Sequence, residues 1–376
     1  MNLRVIYSNG ARIAGGGIGN TSYHAVLGLH RHDMLVRLIC GSYNPTEIPA
    51  DRIRSLGWVS RFFRKLAAFD ERNWLDHAYR LLYDHWATRQ LTGSDVFHAW
   101  SGYCLQTLKQ ARSRGMVTVL DRAIAHPVSL NELLQAEFAQ WGLLYHWPLT
   151  AQRITKEIET ADYVLIPSDF VRETFTAQGI PAKKLIQVPF GVDTRRFTPA
   201  PRREEPFRAL FVGQISVRKG VPALLEAWQK LGWQDAELWF AGQRKLNEAF
   251  FTPYRAMKGV QFLGHIWDIV RVFQQADVFV FPSIAEGSAL VTYEAMACGL
   301  PVITTFNAGS VVRDGEEGFI IPIRDAEAVA NRLDQLRRDE KLRLRMGAAA
   351  RARAEKFTWE RYGNTLSEAL KNDIHG

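Results

Sequence analysis

Short apolar runs rich in β-branched and aromatic residues alternate along the chain with stretches of helical character. The pattern predicts strands at 3–7, 34–40, 95–100, 116–121, 163–167 and 185–189, and then at 207–213, 236–242, 260–264, 277–282, 300–305 and 318–322. Helical stretches fall between them, at 18–31, 101–114, 151–160, 168–178, 220–231, 268–275, 288–298 and 325–337. Strands that alternate with helices indicate parallel sheets joined by crossover helices, so the predicted fold class is α/β.

The two halves of this pattern are separated by residues 191–207, "GVDTRRFTPAPRREEPF", a stretch rich in proline and charge that is typical of a linker. A chain of 376 residues also exceeds what one hydrophobic core usually serves. We therefore expect two doubly wound, Rossmann-like domains, at 1–195 and 196–356, with a strand-free helical insertion at 58–92 in the first. Ligands of such sheets bind beyond the carboxyl ends of the strands, which places the site in the cleft between the domains.

The composition, 47% hydrophobic and 23% charged, is that of a globular protein. The three cysteines, Cys40, Cys104 and Cys298, match no metal or redox spacing, which suits a reduced, cytoplasmic protein. The first residues are typical of a strand and not of a signal peptide, and no apolar run approaches the roughly 20 residues of a membrane span.

The net charge of +8 permits peripheral association with an anionic membrane, while the basic residues are scattered and we expect no nucleic-acid partner. One cluster of cations and aromatic residues, "RFFRKLAAF" at 61–69, allows two interpretations. It is typical of a helix on a membrane surface, and equally of a helix whose apolar face packs within its own domain. We favour the second.

The stretch "EGSALVTYE" places a carboxylate at each end of nine residues that are otherwise small or apolar. Glu286 follows the strand 277–282, at its carboxyl end, and Glu294 lies about two helical turns further on. The residues between them that open the helix, Gly287, Ser288, Ala289 and Leu290, offer backbone N–H groups suited to a phosphate. Carboxylates at such a point can accept hydrogen bonds from sugar hydroxyls. The alternative is an exposed Glu286 and a Glu294 that forms a salt bridge.

A second motif, "FVGQISVRKG", ends a strand at Gly213 and places Arg218 and Lys219 before the next helix. Cations at a helix N-terminus oppose the local dipole, so an anion such as a diphosphate would stabilise them. The alternative is two solvated cations.

Two further stretches follow strands of the first domain. In "AGGGIGNTSYHAVLGL", Gly16 and Gly17 let the backbone approach a ligand, but Asn20 stands where the dinucleotide fingerprint requires glycine. In "LDRAIAHP", His126 lies in a loop that faces the expected cleft. It could hydrogen-bond a substrate hydroxyl or stabilise developing charge, although a loop histidine is by itself more often incidental.

Taken together, in this order and spacing, these motifs resemble the retaining glycosyltransferases of family 4, the glycosyl transferases group 1, which have the GT-B fold. The resemblance is strongest in the segments "FVGQISVRKGVPALLEAW", "ADVFVFPSIAEGSALVTYEAMACGLPVITTFNAGS" and "DGEEGFIIP". The resemblance implies transfer of a hexose from a UDP- or GDP-sugar to a hydroxyl of a glycan or lipid-linked acceptor, in cell-surface polysaccharide or glycolipid synthesis.

The resemblance also implies a role for each matching residue. Glu286 would contact the hydroxyls of the donor sugar and Glu294 those of the nucleotide ribose. Lys219, with Arg218, would hold the diphosphate, and Gly16 and Gly17 would border it from the first domain. His126 would contact the donor sugar. Many family members carry arginine at the position of Gln214, so this chain has one diphosphate cation fewer.

Transfer with a diphosphate leaving group needs charge stabilisation more than a covalent nucleophile. Because no aspartate-rich cluster stands beside the phosphate motif, we expect catalysis without metal or other cofactor.

The C-terminal residues 357–373 predict an amphipathic helix that returns to the first domain. Two alternative functions are compatible with part of the same motifs. One is a hydrolysing UDP-sugar epimerase of the same fold, and the other is a non-catalytic nucleotide- or phosphate-binding protein. The donor base and sugar, the acceptor and the oligomeric state stay open.

Overall fold

The computed structural model describes residues 3–67, 70, 74–201 and 206–375. Two parallel sheets organise the chain, and their strands are joined by helices. The helices are α1 (Ile18–Arg31), α2 (Trp58–Ala67), α3 (Trp74–Thr88), α4 (Leu105–Ser113), α5 (Pro127–Gln140), α6 (Ala151–Thr160), α7 (Asp169–Ala177), α8 (Val221–Leu231), α9 (Glu248–Phe251), α10 (Ile269–Gln274), α11 (Leu290–Ala297), α12 (Ala326–Arg338), α13 (Glu340–Ala354) and α14 (Trp359–His375).

The first sheet has seven strands in the order β3-β2-β1-β4-β5-β6-β7. They are β1 (Val5–Ile13), β2 (Leu35–Tyr43), β3 (Ile53–Ser55), β4 (Val96–Trp100), β5 (Val117–Asp121), β6 (Tyr163–Ile166) and β7 (Leu185–Gln187). Every predicted strand of this half is present. The short edge strand β3 was not predicted, because three residues leave no periodic signal. The strand β1 is longer than predicted, since its polar second half stays paired with β2 across a register shift between Asn9 and Arg12.

The second sheet has six strands in the order β10-β9-β8-β11-β12-β13. They are β8 (Phe207–Val212), β9 (Ala236–Ala241), β10 (Val260–Gly264), β11 (Val278–Phe281), β12 (Val302–Thr305) and β13 (Gly318–Ile321). All six were predicted, and all pair in parallel. The sequence order reverses beside β8, so the carboxyl ends of β8 and β11 face the crevice where ligands of doubly wound sheets bind.

The predicted boundary between residues 195 and 196 lies in the connection from β7 to β8; residues 202–205 of the linker are outside the described part of the chain. The division into domains 1–195 and 196–356 stays a prediction. The helix α14 packs against α1, where Gly28 and Gly363 allow the two backbones to touch. Tyr362, Leu366 and Leu370 of α14 are buried in the core of the first sheet.

The stretch 58–92 contains α2 and α3 and no strand among its described residues, which exclude 68, 69 and 71–73. The helices α5, α9 and α13 were not predicted. All three cysteines are buried and free of disulfides. Among the described helices, none is both long and apolar enough to cross a bilayer.

Candidate functional site

The cations and the first carboxylate of the two second-domain motifs meet in one ion cluster. Arg218 Nη1 lies 2.6 Å from Oε1 of Glu286, and Nζ of Lys219 pairs with the same oxygen. The Lys219 side chain is largely buried, and this burial lowers its pKa, against the opposing effect of Glu286. Two cations against one carboxylate leave the cluster with a net charge of about +1, so it favours an anionic ligand.

Close backbone packing fixes the loop that carries the two cations. Residues Val217–Lys219 form a single 3₁₀ turn after β8, and the carbonyl oxygen of Arg218 accepts hydrogen bonds from Ile284 N at 2.9 Å and Ser283 Oγ at 3.1 Å. Gly220 has a φ of +70°, and a Cβ there would overlap the carbonyl oxygen of Pro282. Only glycine therefore suits this position, and the turn holds Lys219 against the end of β11.

The loop that carries Glu286 is held by the segment after β12. The backbone N–H of Glu286 donates to the carbonyl oxygen of Asn307 at 2.9 Å, and Asn307 Nδ2 donates to the carbonyl oxygen of Ile284 at 2.8 Å. Ala289 N donates to Ala308 O at 3.0 Å. Asn307 is a structural determinant of the site that sequence reasoning missed, since it follows the next strand, β12, and no local pattern connects its side chain to the loop of Glu286.

Two of the groups expected at the start of α11 are engaged elsewhere. The N–H of Ala289 is taken by Ala308, and Ser288 Oγ lies 2.8 Å from the hydroxyl of Tyr293. The helix begins at Leu290 without a side-chain cap. A phosphate would therefore meet the backbone from Leu290 onward and not the side chain of Ser288. The reason is that the small residues here pack against protein instead of facing the crevice.

Glu294 lies on α11 and lines a cavity of about 520 Å³ at the base of the crevice. Its carboxylate makes no hydrogen bond or ion pair with the residues that the structure describes, so the alternative of a salt-bridged Glu294 is not realised there. Burial raises its pKa to about 7, and the more distant charge of Arg196 opposes the rise. A half-buried carboxylate without a protein partner is suited to accept hydrogen bonds from a ligand.

Residues of three other segments line the same cavity and were missed by sequence reasoning. His24 of α1 stacks on Trp359 of α14, with ring centroids 4.4 Å apart, and Asn20 and Arg196 stand beside them. Burial lowers the pKa of His24 to about 4, so the ring is neutral at physiological pH. Arg196 belongs to the segment that sequence composition marks only as a linker, so no local pattern singled it out.

His126 is 4% exposed and serves as the N-cap of α5. Its Nδ1 accepts the N–H of Val128 at 3.3 Å, and its ring packs edge-on against Phe175. Burial, assisted by Arg122, lowers its pKa to about 4. A neutral ring whose Nδ1 accepts a hydrogen bond carries its proton on Nε2, so it can donate from that atom alone. The expected contact with the donor sugar stays a prediction, restricted to Nε2.

The loop before His126 nevertheless touches the second domain. A Cβ on Gly287 would overlap the carbonyl oxygen of Ala123, and the carbonyl of Gly287 accepts a short hydrogen bond from Ser168 Oγ. Both partners belong to the first domain, so Gly287 is a contact point between the domains, and its expected contact with the donor stays a prediction. Its side-chain-free backbone lets the crevice close beside Glu286.

The remaining predicted residues, Gly16, Gly17 and Gly213, form no hydrogen bond with this cluster in the described part of the chain. Gly16 and Gly17 are exposed in the loop before α1, and Asn20, one turn on, lines the Glu294 cavity. Gly213 directly follows β8, and its N–H donates to Ala241 O at 2.9 Å. Gln214 beside it is exposed. Across the described ranges, no group of three metal-binding side chains is found.

Two family models cover most of the chain. Residues 15–196 match the model described as Glycosyltransferase Family 4, and residues 193–353 match the model described as Glycosyl transferases group 1. The chain is a family 4 glycosyltransferase. This assignment agrees with the expected transferase and disfavours both the hydrolysing epimerase and the non-catalytic binding protein.

Several known proteins are similar to this glycosyltransferase. It is 24% identical to the O-antigen chain mannosyltransferase B of Escherichia coli, over 94% of this chain and 96% of that relative. Its fold matches sucrose-phosphate synthase from Thermosynechococcus elongatus, with a TM-score of 0.72, 19% identity and 100% coverage of both chains. It also matches Anabaena HepE in complex with UDP-glucose, with a TM-score of 0.68 and 17% identity, over 98% of this chain and 100% of that chain. The fold is GT-B, as expected.

Proposed function

We propose that this glycosyltransferase moves a hexose from a UDP- or GDP-sugar to a hydroxyl of a glycan or lipid-linked acceptor, with retention of anomeric configuration, in the synthesis of a cell-surface polysaccharide or glycolipid. The observation that carries the proposal is the ion cluster of Glu286, Arg218 and Lys219 at the ends of β8 and β11. The name of the E. coli relative and the ligand of HepE support it.

An incoming diphosphate would exchange partners within the cluster. Arg218 and Lys219 would turn from Glu286 to the phosphate oxygens, where arginine can donate paired hydrogen bonds and lysine acts as a point charge. Glu286 would then be released to accept hydrogen bonds from the hydroxyls of the donor sugar. The cations and the carboxylate of the cluster would thus be paired with each other before the donor binds. Afterwards the cations would contact the diphosphate, and Glu286 would contact the sugar hydroxyls.

The transfer step needs stabilisation of the charge that grows on the departing phosphate. We propose that the acceptor oxygen attacks the anomeric carbon from the face that the diphosphate leaves, while the bond from that carbon to the phosphate oxygen breaks. The acceptor proton passes to the departing phosphate, and the nucleoside diphosphate is released. Lys219 and Arg218 hold the negative charge, and preorganised cations of this kind contribute more in a partly dry site than in water. We propose that no metal ion is required.

Glu294 would bind the other end of the donor. Its unpaired carboxylate faces the cavity of about 520 Å³, which has room for a nucleoside, and two adjacent ribose hydroxyls are suitable donors to one carboxylate. The eight-residue spacing from Glu286 then separates the sugar contact from the ribose contact.

The test is release of free nucleotide from UDP-glucose, UDP-galactose, UDP-N-acetylglucosamine, GDP-mannose and ADP-glucose, without added metal and then with EDTA. We expect slow, EDTA-insensitive hydrolysis of one donor, reduced by about 10²- to 10³-fold in Lys219→Ala because a charge contact of the transition state is lost. Lys230→Ala is the matched control, since Lys230 is an exposed lysine of the same domain. The proposal would be contradicted by a Lys219→Ala variant with wild-type rates. It would also be contradicted if no donor released nucleotide and neither UDP nor GDP raised the melting temperature of the protein.

We also propose that the enzyme acts in the cytoplasm, peripherally at the inner face of the membrane. In α2, Phe63 packs against the core of the first sheet, but Trp58, Phe62 and Leu66 are 70%, 53% and 38% exposed. The interpretation of this helix as packed within its own domain therefore holds for one face only. Sedimentation with phosphatidylglycerol vesicles should be weakened by Phe62→Ser, and the same recovery of both proteins would exclude α2 as the contact.

A further inference from the structure

The helix α5 lies beside the crevice between the two domains. His126, the predicted sugar contact, caps its first turn. The turn Val217–Lys219, which carries the two cations of the ion cluster, lies against the same helix. The loop that follows α5 stays close to these cations, since the charge of Arg218 opposes the rise that burial produces in the pKa of Tyr145. The position of α5 therefore sets how the first domain meets the donor site.

The end of α5 is tied to the second domain by a buried carboxylate. Glu137 is 3% exposed, and its Oε2 accepts a hydrogen bond from Arg324 Nε at 2.5 Å. Arg324 lies between β13 and α12, and its Nη2 also donates to the carbonyl oxygen of Leu133 at 3.2 Å, one helical turn before Glu137. One arginine of the second domain thus holds two successive turns of α5.

An aromatic contact extends this tie through the other oxygen of Glu137. Its Oε1 accepts the indole N–H of Trp141 at 3.1 Å, and the Trp141 ring packs edge-on against Phe250 of α9, with ring centroids 5.7 Å apart. Both oxygens of Glu137 are therefore engaged, one by a residue of the second domain and the other by a ring that packs on that domain. We call Arg324, Glu137, Trp141 and Phe250 the α5 latch.

The backbone at Arg324 is strained. Its φ is +64°, in the left-handed region that glycine adopts freely and that a side chain disfavours. Among the described non-glycine residues, only Ala14 and Asp33 also have a positive φ, and an aspartate can hydrogen-bond locally in that conformation. Glycine would remove the strain at position 324, but it could not pair with Glu137. Such strain persists where the surrounding structure compensates for it, and here the compensating contact is the pair with Glu137.

We propose that Arg324 and Glu137 are positioning residues for glycosyl transfer, and that the α5 latch holds the crevice closed while the donor reacts. At 1.5 Å per residue, Glu137 stands about 16 Å along α5 from His126. The pair therefore fixes the far end of a rigid helix whose first turn is expected beside the donor sugar. Without the pair, α5 would move away from the Val217–Lys219 turn and take His126 with it. The inference rests on the proposed function and adds residues that act through α5 without touching the substrate.

The experiment measures kcat and KM for donor hydrolysis, and the radius of gyration by small-angle X-ray scattering, on the full chain. Arg324→Gln and Glu137→Gln should each lower kcat by about tenfold, because the closed state loses a buried charge contact. Donor KM and the Kd of UDP or GDP should stay within about twofold, since Arg218, Lys219 and Glu294, the expected nucleotide contacts, all lie in the second domain. The radius of gyration should increase in both variants.

Three further variants separate positioning from a general loss of stability. Arg338→Gln removes an exposed arginine of α12 that pairs with Asp334 of the same helix, and it should change neither kcat nor the radius of gyration. The double variant of Arg324→Gln and Glu137→Gln should be no slower than either single variant, as expected of one shared contact. Arg324→Gly should reproduce the loss of kcat without a lower melting temperature, because glycine adopts a φ of +64° without strain.

Wild-type kcat and an unchanged radius of gyration in Arg324→Gln would overturn the proposal. A KM or Kd that rises as far as kcat falls would also overturn it, since Arg324 would then serve the donor site directly. The same holds for an Arg324→Gly protein that melts lower and loses kcat and nucleotide binding together. Wild-type protein that releases nucleotide from no donor would contradict the proposed function. A larger radius of gyration in both latch variants, and not in Arg338→Gln, would still support the α5 latch in that case.

Discussion

Glu294→Gln should make the enzyme more stable while it weakens nucleotide binding. The carboxyl pKa rises from 4.5 to about 7 because the side chain is buried without a partner. A rise of this size corresponds to roughly 3 kcal/mol against the ionised form. The carboxylate also lines a cavity that water can enter, and screening by water reduces the cost. We therefore expect the glutamine variant to be more stable by about 1–2 kcal/mol at pH 8.

The sign of the pH dependence follows from proton binding. With a higher pKa in the folded state, Glu294 binds more protons when folded than when unfolded, so the wild type loses stability as the pH rises from about 4.5 to about 7. Glutamine does not titrate. The free energies of unfolding of the two proteins should be similar at pH 4.5 and should diverge as the pH rises, with the variant the more stable.

Urea denaturation at pH 4.5, 6 and 8 measures this difference, and titration with UDP and GDP measures the functional cost. Loss of a charged hydrogen-bond acceptor for the ribose should weaken nucleotide binding by roughly 10- to 100-fold. Glu286→Gln is the control, because its carboxylate pairs with two cations and its removal should not stabilise the fold. A Glu294→Gln protein that is less stable than the wild type at pH 8, or whose stability follows the same pH curve, would refute the reasoning.

Three further predictions concern contacts between the domains and the neutral histidine. Gly287→Ala should lower kcat with little change in nucleotide affinity, because its Cβ would overlap Ala123 O and hold the crevice open; wild-type kcat would exclude this contact from the closed state. Truncation after residue 356 removes three buried side chains of α14, worth about 5–8 kcal/mol together, so the product should fail to fold; a monomer with unchanged melting would show that α14 is dispensable. Because burial lowers the pKa of His126 to about 4, its ring should not titrate between pH 6 and 7. The pH profiles of donor hydrolysis for the wild type and His126→Gln should therefore have the same inflections in this range; an inflection that only the wild type shows would contradict this.

The fold was predictable because its signal is repeated. Each buried parallel strand is a separate apolar run, and the restart of the pattern after residue 191 marks a second sheet without knowledge of any contact. The signal is absent where an element is short, as in β3, or where polar residues continue a strand, as in the second half of β1.

The site was predictable only in part, for a different physical reason. Glu286, Arg218 and Lys219 come from two motifs that each follow a strand, so the sheet order brings them together. Asn307 and Arg196 act through a backbone contact and a shared cavity, neither of which leaves a periodic pattern. Ser288 and His126 show a different gap: the sequence marks both as candidate ligand contacts, but it does not reveal that the Ser288 hydroxyl lies beside Tyr293 and that Nδ1 of His126 caps α5.

The pairing of Val192 with Thr358 has a mechanical consequence. The chain passes between the two sheets twice, before β8 and again before α14, and the two crossings are bridged to each other at this point. Two bodies that share two adjacent chain crossings turn most easily about an axis through those crossings, so points near the axis move less than distant points. Glu294 shares its cavity with both crossings and stands near this axis, whereas Gly287 touches the opposite domain. The nucleoside end of a donor would therefore bind with the same geometry at every opening angle, while the contact beside the sugar forms only at the end of the rotation.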